Sequence, residues 1–112
     1  MNEFELFTMI FYTIAAYYEK KPSDELAVFL GGMSPFTFKE VDSADSAVFA
    51  GFRRFINGRK ISLENSLMLA REYAGKLDYH EISTIMNGVT EERWEAGCKD
   101  YLSRPHKGMS ED

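Results

Sequence analysis

Residues 3–20 read EFELFTMIFYTIAAYYEK, and the spacing within this stretch decides the fold class. At 100° per residue, Phe4, Leu6, Phe7, Ile10, Phe11, Ile14, Tyr17 and Tyr18 gather on one side of a helix. Glu5, Thr8, Tyr12, Ala16 and Glu19 fall on the other. Asn2 stands before the run and Glu5 occupies the third helical position, the reciprocal arrangement of a capping box, which sets the start at Glu3. The apolar side is broad, so this helix is expected at the centre of the packing. The apolar run Leu6–Tyr18 is too short for a membrane span, which needs about 20 residues. Glu3 and Glu5 precede it where a signal peptide carries positive charge. Cys98 is the single cysteine and has no internal partner, so nothing implies an oxidising compartment and the chain reads as cytoplasmic.

Working outward, Pro22-Ser23 breaks the first helix, and Ser23 caps a second with Asp24 and Glu25 at its positive end. Leu26, Phe29 and Leu30 form its buried side, and Gly31-Gly32 is expected to end it. An irregular connection follows, from Gly31 to Ser43. A third helix is expected from about Ala44 to Ile56, with Val48, Phe49, Phe52, Phe55 and Ile56 on one face and Asn57-Gly58 as its stop. Ser62 caps a fourth helix, about Leu63 to Leu77. Asp78 with Glu81 reads as a capping box for a short helix to Met86, ended by Asn87-Gly88. Thr90 caps the last, with Trp94, Cys98, Tyr101 and Leu102 along one side. No segment alternates as a strand would. The expected architecture is all-α, a single compact bundle of five to six helices over residues 1–103, with residues 104–112 (RPHKGMSED) as a flexible polar tail.

Catalytic chemistry is not signalled. Cys98 shares a helical face with Trp94 and Leu102, the position of a buried structural thiol more than of a nucleophile. His80 and His106 are the only histidines, and a base on a floppy tail has no fixed geometry. Asp78, His80 and Glu81 crowd a helix start where capping accounts for two of them, so no metal site is expected. No phosphate-cradling glycine motif occurs, and no cofactor is implied. A net charge of −5 argues against sequence-independent binding to phosphate backbones.

Three features admit a functional reading beside a bland one. Asp78 to Leu102 has the outline of a helix-turn-helix, although Glu91, Glu92 and Glu95 open the would-be recognition helix and face phosphates unfavourably. Arg53, Arg54, Arg59 and Lys60 form a basic cluster, which serves either a helix dipole or an acidic partner. Phe36 and Phe38 in the irregular connection either peg it to the core or anchor an interface.

Residues 24–34 (DELAVFLGGMS) and 43–52 (SADSAVFAGF) resemble a pattern in small uncharacterised bacterial proteins. There an Asp-x-Leu helix leads to a Gly-x-Met-Ser turn, then an Ala-Asp-Pro-Ala segment and a helix with spaced aromatics. Ser46 stands in place of the proline here, and Phe49 and Phe52 where tryptophan is frequent. The likeness spans about a quarter of the chain, and it implies an all-α fold and an association with toxin-immunity neighbourhoods. Small size, acidic charge, aromatic richness and missing chemistry together lead to a non-enzymatic interaction module, of the immunity or antitoxin type, that docks on another protein. Phe36, Phe38, Arg53, Arg54 and Lys60 are its candidate contacts. The alternative is a helix-turn-helix regulator using Thr90 to Lys99.

Overall fold

A computed structural model describes residues 1–109, and these form six helices and no strand. The helices are α1 (Glu3–Lys20), α2 (Asp24–Met33), α3 (Ser46–Ile56), α4 (Leu63–Lys76), α5 (His80–Gly88) and α6 (Glu91–Leu102). Most starts follow the expected chemistry. The Asn2 side chain accepts from Glu5 N while Glu5 accepts from Asn2 N, and Ser62 and Asn65 repeat that reciprocal pair at α4. Ser23, Asp45 and Thr90 each accept from an otherwise orphaned backbone N–H in the first turn of α2, α3 and α6.

Two local expectations are corrected. Gly31 and Gly32 do not reverse the chain: both lie inside α2, neither has positive φ, and the helix runs on to Met33, whose side chain is fully buried. Burying Met33 and closing the Ser34 N–H onto the Leu30 carbonyl offset the roughly 1 kcal/mol that each helical glycine costs. The left-handed stop expected after α3 is present, at Asn57 (φ 50°) and Gly58 (φ 74°). Asp78 does not cap α5; Tyr79 holds that position without a side-chain bond, and Glu81 accepts from the Ser23 hydroxyl at 2.7 Å, tying α5 to α2.

Helix α1 sits at the centre and packs against α2, α3, α4 and α5. An aromatic spine runs outward from it. Phe7 meets Phe49 at 5.1 Å and Phe52 at 5.3 Å between ring centroids, and Phe52 meets Tyr73 edge-on at 4.8 Å, so α1, α3 and α4 are joined through rings. Trp94 on α6 is buried against α4, its indole N–H donating to the Ser66 hydroxyl at 2.8 Å.

The first half of α1 is covered on all sides, which the stripe alone did not anticipate. Glu5 and Thr8, placed by periodicity on the solvent side, are 4% and 1% exposed. Thr8 meets Tyr101 of α6, and Glu5 is covered by the segment after α6. The expectation of a flexible tail from Arg104 is corrected for the residues described: 104–109 fold back as a strap across the start of α1, while 110–112 lie outside the described residues. His106 Nε2 lies 2.5 Å from Glu5 Oε2, the Gly108 carbonyl accepts from Asn2 Nδ2 at 2.8 Å, and the Lys107 ammonium donates to the Pro35 and Phe38 carbonyls. A buried carboxylate needs such partners, and the strap supplies one.

Candidate interaction surfaces

The connection between α2 and α3 is closed at its base by two backbone bonds, Ala44 N–H to the Ser34 carbonyl and Asp45 N–H to the Gly32 carbonyl, each 2.9 Å. Ser43 is fully buried there; it accepts from Phe49 N–H and donates to the Asp45 carbonyl. With both ends pinned and Lys107 holding two of its carbonyls, the loop is a compact Ω-like excursion that presents side chains in fixed places. Phe36 is 48% exposed yet touches Tyr12 at 5.7 Å and Phe11 at 5.9 Å between centroids. Tyr12 in turn meets Tyr101 at 6.0 Å, and Tyr101 stacks on the His106 ring at 4.3 Å. The result is a continuous aromatic surface across the loop, α1, α6 and the strap. Phe38 lies on the same loop, 49% exposed.

This surface opens onto a groove beside α1. Two hollows of about 500 and 480 Å³ share Met9, Tyr12 and Gly97 in their linings, the first reaching Phe36, Tyr101 and His106, the second running on to Tyr17 and Lys20.

Arg53, Arg54 and Arg59 form no part of that surface. Arg53 reaches Glu3 at 3.6 Å, and both side chains are substantially exposed, a geometry that adds little stability. Arg54 lines a separate groove of about 820 Å³ between α2, α3 and α4, floored by Val48, Phe55 and Tyr73, with Arg59 and Lys76 on its rim. Arg59 lies over the Phe55 ring at 4.8 Å, pairs with Glu72 at 3.3 Å and donates to the Phe55 and Ile56 carbonyls, so one member of the basic cluster does serve the end of α3. Lys60 is exposed beyond it, and its carbonyl accepts from Asn65 Nδ2. The five candidate contacts therefore divide, with Phe36 on the aromatic surface, Phe38 exposed on the same loop, and Arg53, Arg54 and Lys60 around α3's far end. Sequence reasoning placed Tyr12 on the solvent side without naming it as a contact, and assigned Tyr17 to the apolar side, where it is 37% exposed.

The groups that catalysis would recruit are engaged otherwise. Burial pushes the Cys98 thiol up to about 12, with the Glu95 carboxylate adding to the rise and a hydrogen bond with Ser66 opposing it, so the sulfur stays protonated at neutral pH. Both ring nitrogens of His106 face oxygens, the Arg104 carbonyl at 2.6 Å and Glu5 at 2.5 Å. Among the described residues no group of three His, Cys, Asp or Glu side chains is arranged to hold a metal ion. No helix there is long and apolar enough to cross a membrane. In α6 the exposed first turn presents Glu91 and Glu92, while Trp94 is turned into the core.

Searches of protein-family models, curated proteins and solved structures return no match to this chain.

Proposed function

We propose that this chain is a non-enzymatic interaction protein that engages a partner protein through the aromatic surface of Phe36, Tyr12 and Tyr101, in the manner of an immunity or antitoxin-type inhibitor. The observation that carries the reading is the continuity of those rings. Tyr12 and Phe36 are each close to half exposed and in contact, at the mouth of an open groove. Aromatic side chains contribute large contact area at little entropic cost and dominate interface energetics, so a fixed cluster of them beside a concavity suits a protein partner. The pinned loop and the strap favour the same conclusion, because they hold the rings in place before any partner arrives. The reading also accords with the engaged state of Cys98 and His106. The helix-turn-helix alternative draws no support from an α6 whose tryptophan is buried and whose leading turn is acidic.

The test is affinity capture from the native host with the wild-type chain and with a Tyr12→Glu/Phe36→Glu double variant whose helicity and melting are first shown to be near wild type. We expect one stoichiometric partner with the wild type and at least tenfold less with the variant, as loss of interface anchors does. Recovery of the same partner by both chains, or of no stoichiometric partner by either, overturns the proposal.

A further inference from the structure

The outer ridge of α1 is unfinished helix packing. Met9, Tyr12, Thr13, Ala16, Tyr17 and Lys20 recur at steps of three and four, the spacing of a single helical face, and all six line the groove between α1 and the pair α5–α6. Eleven residues separate the first from the last, so the face is about 17 Å long at 1.5 Å per residue, roughly three helical turns. The facing walls carry Gly88 and Gly97, and Ala16 and Thr13 keep the floor low between the two tyrosines. A rod of helical diameter with its own apolar ridge can lie there and set side chains into those gaps.

The charges around the groove select among such rods. In the hollow that runs from Met9 to Lys20, the charged lining residues are Lys20 and Arg93, with no carboxylate among them. Neither cation forms an ion pair or side-chain hydrogen bond among the described residues. Arg93 is also badly placed for its own helix. It stands at the third position of α6, close to the positive end of the dipole, where a cation is unfavourable. Stabilisation of α6 therefore does not explain it. In a chain of net charge −5, this groove is a local reversal of sign.

We propose that the groove along α1 receives an amphipathic α-helix of about three turns with acidic flanks, supplied by the partner protein, and that Lys20 and Arg93 meet its carboxylates. The proposal rests on the interaction reading above and gives that partner its chemistry. A basic helix of the same apolar pattern is repelled at both walls.

The experiment uses the purified full chain to select from a displayed library of helices with fixed apolar spacing and polar positions drawn equally from acidic, neutral and basic residues. Enriched peptides are expected to be net acidic and to gain helicity on binding. They should bind a Lys20→Glu/Arg93→Glu chain about tenfold more weakly, as lost interface charge pairs do, and an Ala16→Trp chain not measurably. Enrichment of neutral or basic peptides overturns the inference, as does an empty selection or equal binding to the variants. So does a homodimer in sedimentation that Ala16→Trp converts to monomer, since a second copy would then be the occupant. If the host partner is still lost on changing Tyr12 and Phe36 while the selection fails, the interaction reading stands and only the acidic helix falls.

Discussion

Ser66 shows how one hydroxyl holds two helices together. Its oxygen donates to the Leu63 carbonyl at 2.9 Å and accepts from the Trp94 indole at 2.8 Å, in a fully buried setting. A buried donor left without an acceptor loses its full solvation, so the hydrogen bond matters more through its absence than through its net strength. Ser66→Ala is expected to lower unfolding free energy by about 1–3 kcal/mol, read from urea denaturation with Trp94 fluorescence as the probe. Replacing Ser66 with threonine restores the oxygen, although the added methyl has to fit a packed site, so the comparison separates the polar contribution from packing. Nothing near Ser66 in the sequence names Trp94 as its partner, because the two are 28 positions apart and meet only when α4 and α6 pack.

At the scale of elements, the strap of residues 104–109 governs how α1 begins. Gly108 adopts φ 78°, and a Cβ built there would fall 2.4 Å from Phe4 Cδ2. Gly108→Ala therefore meets both the left-handed backbone penalty of about 1–2 kcal/mol and an aromatic ring. We expect the strap to detach in this variant rather than the bundle to unfold, so the chain should keep its helicity while the loop around Phe38 becomes faster to cleave with protease. Unchanged cleavage would show that the strap does not hold the loop. The capping residues of α1, α2, α4 and α6 could be read from the sequence because a cap and its target lie within three positions. The strap could not: Glu5 and His106 are 101 positions apart, and RPHKGMSED has the composition of a solvated end. Gly31-Gly32 was misread for the complementary reason, since a weak local preference yields to the burial of Met33. Of the candidate surface, the aromatic residue type was legible at Phe36 and Phe38, but the partition into two surfaces arises only from helix packing.

For the whole molecule, Tyr73, Cys98 and Tyr101 shape the response to alkali, the first two buried and Tyr101 half-buried. Burial pushes Tyr73 and Tyr101 from 10.0 up to about 12 and Cys98 from 9.0 up to about 12, with a hydrogen bond to Thr8 partly opposing the rise at Tyr101. Between about pH 9 and 12 the unfolded chain has given up protons that the folded chain retains, so it binds fewer protons and stability falls as pH rises. Below about pH 8 all three are protonated in both states and contribute no slope. Urea midpoints measured from pH 7 to 11 should be flat with respect to these groups at the lower end and decline as the pH passes through 9, and a Cys98→Ala/Tyr73→Phe chain should decline less steeply. The strap carries one more consequence, concerning the order of synthesis. His106, which pairs with Glu5, follows it by 101 positions, a delay of about 5–20 s at ordinary elongation rates. During that interval the first half of α1 is without the residues that close over it in the folded chain, which leaves its apolar side open to a nascent-chain chaperone.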